Sequence, residues 1–255
     1  MEPLHTLTQG DTGPRLVFLH GLFGQGRNWT TIGKRFADDH RVIMVDLPNH
    51  GRSPWTDDVS FGAMAEHVAA TLGEEPAVVV GHSLGGKVAM RLALDHPDLV
   101  QRLVVVDIAP VSYAGLSQFG QYVQAMRGID LDHLDSRGAA DEQMAQSVPK
   151  DSVRGFLLQN LRREGQGWRW QMNLSVLGDQ LDRVADWEPV DTRYEGDTLW
   201  VAGADSDYVG AEDGAVMREL FPATRMVRVK GASHWVHADQ PDIFTGVLRH
   251  FLDQS

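Results

Sequence analysis

Residues 76–98 read PAVVVGHSLGGKVAMRLALDHPD, a run of apolar β-branched residues that leads into a serine between glycines. Residues 77–80 predict a buried strand and residues 84–96 predict a helix. The corner between them, Gly81-His82-Ser83-Leu84-Gly85, fits the pattern G-x-S-x-G. A serine at the tip of a strained strand-to-helix turn projects its hydroxyl away from the sheet, and only glycines let the chain pass beneath it. The corner therefore predicts that Ser83 is a nucleophile rather than part of an ordinary turn.

The alternation of strand and helix repeats along most of the chain. Apolar β-branched runs predict strands at residues 4–8, 15–20, 41–46, 77–80, 103–107, 198–202 and 226–229. Periodic patterns predict helices at residues 29–38, 61–72, 84–96, 214–221 and 241–252. Repeated β-α alternation is typical of a mostly parallel, doubly wound sheet, so the predicted fold class is α/β.

One long segment interrupts this alternation. Residues 112–190 contain no clear strand pattern but hold helical stretches such as SQFGQYVQAM and DSVRGFLLQNL. A crossover between parallel strands needs only a helix and loops of about 2–6 residues. We therefore expect residues 112–190 to form a helical cap inserted into a core built from residues 1–111 and 191–255. Trp168 and Trp170 are expected to belong to the core of that cap.

A serine hydroxyl needs a base to remove its proton, and His234 is the best candidate among eleven histidines. It follows the final predicted strand, and sites in sheets of this type form beyond the carboxyl ends of the strands. His237, three residues later, is expected to pack against or cap the last helix. His82 adjoins Ser83, but the turn should direct it away from the serine.

Two backbone N–H groups are predicted to stabilise the oxyanion. Leu84 begins the helix after the serine, so its N–H points towards a developing negative charge. The glycine-rich loop His20-Gly21-Leu22-Phe23-Gly24 offers a second donor, Leu22, with Phe23 as the fallback. A flexible loop alone would explain these glycines, but it would not explain their occurrence together with the G-x-S-x-G corner and the late histidine. Nucleophile, acid and histidine follow one another in the chain order of α/β-hydrolases.

The acid that orients the histidine has two candidates. Asp107 ends the predicted strand beside the one that carries Ser83. Asp207 follows the penultimate strand, in LWVAGADSDYVG, which is the more usual position in α/β-hydrolases. Both loops open at the same end of the sheet, so either carboxylate could reach His234. The residues alone leave the choice open.

Composition limits the partners. Acidic residues number 35 and basic residues 23, which gives a net charge of −12 and disfavours nucleic acid or an anionic membrane as a partner. The chain has no cysteine, and its first residues lack a signal-peptide pattern, so a cytoplasmic protein without membrane insertion is predicted. The histidines show no H-E-x-x-H or other dense ligand spacing, so neither a metal nor another cofactor is expected.

Five segments together resemble the YbfF-type esterases and their mitochondrial abhydrolase-domain relatives: HGLFGQGRNW, VDLPNHGRSP, GHSLGGKVAM, VVVDIAPVSY and GASHWVHADQP. The resemblance runs from about residue 16 to residue 251. It implies an α/β-hydrolase fold and a cofactor-free serine esterase or thioesterase for short-to-medium acyl groups. It also implies that Ser83 is the nucleophile, His234 the base, and Leu22 and Leu84 the oxyanion donors. The phrase DIAPV implies that Asp107, rather than Asp207, is the acid.

Three further positions bear on this resemblance. The family usually has glycine where this chain has Ser233, which could add a hydrogen bond or shift the loop. Asp205 resembles a position that the family often fills with asparagine. Lys87 is a family-like feature, but a lysine early in a helix is usually solvated, and we assign it no catalytic role.

Other activities fit the same pattern. Serine-based members of the fold include carbon–carbon bond hydrolases, haloperoxidase-like perhydrolases and lyases, while a small-molecule receptor could retain the fold with a vestigial site. Aspartate rather than serine would be expected in haloalkane dehalogenases and epoxide hydrolases. The complete set of serine, histidine and aspartate favours an enzyme over a receptor.

Overall fold

The computed structural model describes residues 1–113, 117–165 and 167–254. The strands are β1 (Thr6–Gln9), β2 (Arg15–Leu19), β3 (Arg41–Val45), β4 (Ala77–His82), β5 (Val100–Val106), β6 (Leu161–Glu164), β7 (Gly167–Trp170), β8 (Thr198–Gly203) and β9 (Thr224–Val229). The helices are α1 (Thr30–Gly33), α2 (Phe61–Leu72), α3 (Leu84–Asp95), α4 (Ser117–Arg127), α5 (Arg137–Met144), α6 (Asp151–Leu158), α7 (Leu174–Asp179), α8 (Leu181–Ala185), α9 (Gly214–Leu220), α10 (Val236–Asp239) and α11 (Pro241–Leu252). Short 3-10 helices lie at Gly26–Trp29 and Pro97–Leu99.

The main sheet has the strand order β1-β3-β2-β4-β5-β8-β9. Neighbouring strands run parallel except β1, which pairs antiparallel with β3 at the edge. The predicted mostly parallel, doubly wound sheet is therefore confirmed. From β2 the chain first adds β3 on one side and later adds β4 on the other, so the strand order reverses between β2 and β4. Ligand sites in open α/β sheets form at such a reversal, beyond the carboxyl ends of the strands.

Apolar layers cover both faces of the sheet. Alternate residues of β4 point to opposite faces: Val79 packs into one buried cluster with Val88 of α3, and Val80 packs into the other with Phe244 of α11. All six residues of β4 are buried, because helices cover both sides of this central strand. This enclosure explains why residues 77–80 are apolar and fixes the position of the serine that follows the strand.

The segment between β5 and β8 contains α4 to α8 and, contrary to the sequence expectation of helices alone, the antiparallel hairpin β6–β7. The strand signal was missed because each strand has only four residues and three of the four in β6 are charged. Pairing across the hairpin stabilises it: Leu161 lies opposite Trp170, and Arg169 forms an ion pair with Glu164 at 2.8 Å. Trp170 is buried and Trp168 partly buried against the same apolar cluster.

Other differences from the sequence expectation concern element ends. The helix predicted at residues 29–38 is reduced to the 3-10 helix Gly26–Trp29 and α1, and the first strand starts at Thr6. The short helix α10, between β9 and α11, was not predicted. No helix in the three described ranges has the length and apolarity needed to cross a membrane.

Candidate active site

Ser83 occupies the turn between β4 and α3 in a strained backbone conformation. Its φ is +53°, a region that a residue with a side chain seldom adopts, and it is 7% exposed. The two flanking glycines are sterically required. A Cβ on Gly81 would lie 2.1 Å from the carbonyl oxygen of Gly85, and a Cβ on Gly85 would lie 2.5 Å from that of Leu19. The predicted corner thus forms as the glycine pattern indicated.

The carboxylate of Asp107 contacts the imidazole of His234. Nδ1 of His234 donates to Oδ2 of Asp107 at 2.8 Å. Asp107 is fully buried at the end of β5, and its charge is further balanced by the backbone N–H of Gly203 at 2.8 Å and the hydroxyl of Ser206 at 2.5 Å. Asp207 is exposed, and its carboxylate makes no hydrogen bond to any described residue. Of the two candidate acids, only Asp107 reaches the histidine.

The three backbone N–H groups considered as oxyanion donors differ in whether another group already accepts a hydrogen bond from them. In the described ranges, the backbone N–H groups of Leu22 and Leu84 have no hydrogen-bond acceptor. The N–H of Phe23 instead donates to Nε2 of His50 at 3.2 Å. Burial lowers the pKa of His50 to about 3, so its ring is a neutral acceptor at pH 7. Phe23 is therefore already engaged, whereas Leu22 and Leu84 retain their donors.

The other buried histidines brace the site. Nε2–H of His82 donates to the carbonyl oxygen of His234 at 2.8 Å, which holds the loop that carries the imidazole. Burial, with the neighbouring rings of His234 and His237, keeps the pKa of His82 well below its usual value. His237 stacks on Trp29 with ring centroids 4.2 Å apart, and burial lowers its pKa to about 3. His237 therefore packs near the last helix, as expected, and makes no contact with Asp107.

The glycine-rich loop after β2 is fixed by His20. Its Nδ1–H donates to the carbonyl oxygen of Gly21 at 2.8 Å, and its Nε2 accepts from the N–H of Leu47 at 3.0 Å. This pattern requires the neutral ring, and burial, the largest influence on it, lowers the pKa of His20. His20 therefore ties the start of the glycine-rich loop to the loop after β3.

A cavity with an empty volume of about 510 Å³ connects the proposed nucleophile and base. Ser83 and His234 lie in its wall, and most of the remaining wall is apolar, including Leu22, Trp29 and Leu157. A second, more open cleft reaches His234 between α4 and the loop after β8; it is lined by Tyr122 and by the polar stretch 205–208. Asp205 lies in this cleft and is exposed.

Lys87, near the candidate site, has contacts that the sequence did not reveal. Lys87 is 1% exposed, and its ammonium donates to the carbonyl oxygens of Val111, Ala185 and Asp186 at 3.1, 2.8 and 2.5 Å. The expectation of a solvated lysine was wrong. A usable signal was its position on the same helix face as Leu84 and Val88, both buried.

Ser233, which stands where the family usually has glycine, adds a hydrogen bond. Its N–H and its hydroxyl both reach Oδ2 of Asp239, at 2.8 and 2.5 Å. The serine therefore ties the loop before His234 to the short helix α10. The hydrogen bond from Ser206, which directly precedes Asp207, to Asp107 was not predicted either, because a single serine in a loop carries no sequence signal.

The fold and this geometry agree with comparison to known proteins. Residues 14–241 match the family model described as alpha/beta hydrolase fold, so the chain belongs to that family and its fold is the predicted α/β-hydrolase fold. It is 40% identical over 258 residues to the sn-1-specific diacylglycerol lipase ABHD11 of Mus musculus, covering 97% of this chain and 84% of the relative. It is 32% identical to esterase YbfF of Escherichia coli, covering 93% and 92% of the two chains. A solved marine microorganism esterase superposes with a TM-score of 0.95 at 32% identity, over 98% of this chain and 99% of the other.

Proposed function

We propose that this chain hydrolyses carboxylic esters through an acyl-enzyme on Ser83. His234 acts as the general base and Asp107 orients it, while the N–H groups of Leu22 and Leu84 bind the oxyanion. The observation that carries this proposal is the 2.8 Å contact between Nδ1 of His234 and Asp107, in an imidazole that shares a cavity wall with Ser83. Its similarity to a diacylglycerol lipase and to two esterases supports an ester as the substrate.

The proposed reaction follows from the donors and acceptors of the site. Because Nδ1–H of His234 is held by Asp107, Nε2 is left as a proton acceptor. It takes the proton of the Ser83 hydroxyl as Oγ bonds to the ester carbon, and the carbonyl oxygen becomes an oxyanion. Collapse of this intermediate breaks the bond to the alcohol, which leaves with the proton from His234. A water, deprotonated by the same imidazole, then hydrolyses the acyl-enzyme and releases the acid.

The buried charge of Asp107 stabilises the imidazolium that forms in both steps. An uncompensated buried carboxylate would be costly, but three donors satisfy this one. The N–H of Leu84, at the first turn of α3, also has the helix dipole behind it, which strengthens its interaction with negative charge.

The acyl group is proposed to lie in the apolar cavity, covered by residues 112–190 acting as a cap on a core of residues 1–111 and 191–255. This cavity is lined by Tyr122 of α4 and by Val153 and Leu157 of α6, together with Ser83. Short-to-medium acyl chains are proposed because the chain resembles the YbfF-type esterases. A thioester of the same acid would follow the same steps. The absence of cysteine supports a reducing compartment such as the cytoplasm.

Hydrolysis of p-nitrophenyl butyrate tests the proposal directly. The chain should release nitrophenol with saturation kinetics, and Ser83→Ala should lower kcat by about 10⁶-fold, by analogy with serine proteases, while the protein still unfolds cooperatively. A chain that binds the ester without turnover would instead be a receptor on the same fold. Turnover that survives Ser83→Ala would place the chemistry elsewhere.

A further inference from the structure

We propose that Phe156 and Trp235 form the end wall of the acyl cavity and set the longest acyl chain that the enzyme accepts. This inference rests on the proposed esterase function. Phe156 lies on α6, and Trp235 directly follows His234. Their rings meet edge to face, with centroids 6.4 Å apart and an interplanar angle of 63°. Both rings line the cavity that holds Ser83.

The space behind these two rings is open rather than packed. A pocket with an empty volume of about 720 Å³ lies on one side, lined by Thr31, Ile32 and Pro241. A second pocket, of about 480 Å³, is lined by Lys150 and Asp239. Phe156 and Trp235 belong to the walls of both pockets and of the Ser83 cavity. The pair therefore separates the acyl cavity from two spaces that reach the surface.

Three other apolar residues of the wall cannot yield in the same way. Trp29, Phe23 and Leu157 are 0% exposed, so each is backed by packed core atoms. Protein interiors are close-packed, and enlarging the cavity at these positions would require core rearrangement. Phe156 and Trp235 are only partly buried. An acyl chain that extends from Ser83 towards α6 therefore meets its limit at these two rings.

Truncating either ring should extend the cavity into the outer pockets. Each further methylene that leaves water then raises kcat/KM by about fourfold. We expect Phe156→Ala and Trp235→Ala to move the preferred acyl length of p-nitrophenyl esters to longer chains, so that the ratio of dodecanoyl to butyryl kcat/KM rises at least about tenfold. Phe156→Trp places a larger ring at the same position and shortens the cavity, so it should shift the preference to shorter acyl chains.

Trp187→Ala is the matched control. Trp187 packs on Phe61 of α2, with ring centroids 6.1 Å apart, so its loss also removes an aromatic contact between the 112–190 segment and the core. It does not line the Ser83 cavity. Its chain-length profile should equal that of the unmodified enzyme, even where its thermal stability is lower.

Kinetics across esters from acetyl to dodecanoyl decide the outcome. The proposed end wall is supported if the preferred acyl length shifts in opposite directions in Phe156→Ala and Phe156→Trp and stays unchanged in Trp187→Ala. Unchanged profiles in both alanine variants overturn it, and so does a lower long-chain ratio, because the rings would then be a contact surface along the chain rather than its end. Absence of hydrolysis in the unmodified chain is a separate result, which refutes the proposed function instead.

Discussion

Replacing Asp107 by asparagine tests the central contact of the site, because the structure fixes how the new amide would sit. Oδ1 of Asp107 accepts from the N–H of Gly203 at 2.8 Å. The asparagine must keep its oxygen there, since an NH₂ group facing another N–H would leave two buried donors opposed. The NH₂ group then takes the position of Oδ2 and donates to Nδ1 of His234. The imidazole is forced into the tautomer with its proton on Nε2, where it cannot accept the proton of Ser83.

The expected loss is large. By analogy with the serine-protease triad, an acid replaced by its amide lowers kcat by about 10⁴, which corresponds to about 5.4 kcal/mol of transition-state stabilisation. Asp207→Asn is the matched control, because this carboxylate is exposed and unpaired within the described residues. A surface change of this kind should alter kcat by no more than two- to threefold, as about 0.5 kcal/mol implies.

Steady-state hydrolysis of one short-chain p-nitrophenyl ester compares both variants, and thermal unfolding confirms that each is folded. Because the asparagine keeps the Gly203 hydrogen bond, Asp107→Asn should lose activity far more than stability. A crippled Asp207→Asn with a nearly normal Asp107→Asn would refute the assignment and move the acid to the loop after β8.

Three further predictions concern the nucleophile, metal independence and Lys87. A fluorophosphonate probe should label the chain stoichiometrically at Ser83, as intact-protein and peptide mass spectrometry would show; a fully active chain that resists labelling would contradict this. EDTA should leave ester hydrolysis unchanged, because the imidazole of His234 supplies the proton transfer that a metal-bound water would otherwise require; loss of activity that a divalent ion restores would overturn it. Burial lowers the pKa of Lys87 to about 7, below its value in the unfolded chain. Between pH 7 and about 10 the unfolded state therefore binds more protons, so the unfolding free energy of the unmodified chain relative to Lys87→Met should rise with pH, by at most about 1.4 kcal/mol per pH unit. Urea unfolding across that range measures it, and a flat or falling difference would show that Lys87 stays charged in the folded protein.

The sheet and the G-x-S-x-G corner were predictable because their signals are contained in short stretches of sequence. The run Ala77 to Val80 is apolar throughout, and Gly81 is required by its contact with the nearby Gly85. Periodicity also placed α2 and α11 with their observed limits. Features that depend on distant partners were missed. The hairpin β6–β7 gains its stability from cross-strand pairs, which a four-residue pattern does not contain.

Lys87 shows the same limit for a single side chain. Nothing next to it in sequence satisfies an ammonium group, and a charged residue early in a helix is normally solvated. Its acceptors come from Val111, soon after β5, and from Ala185 and Asp186, before β8. Burial is tolerated because three carbonyl oxygens match the three donors of the ammonium. Val111 lies 24 residues from Lys87 in the sequence, and Ala185 lies 98 residues away.

The choice between two acids was undecidable from the residues for a topological reason that also explains why the site works. Strands β5 and β8 are parallel neighbours, so Asp107 and the loop after Gly203 leave the sheet side by side. The loop after β8, the more usual source of the acid, here supplies two hydrogen bonds to the acid from β5, through the N–H of Gly203 and the hydroxyl of Ser206. Either strand end can therefore deliver a carboxylate to His234, provided that the other end supplies its donors. In this structure both donors bind Asp107, and Asp207 is exposed to solvent.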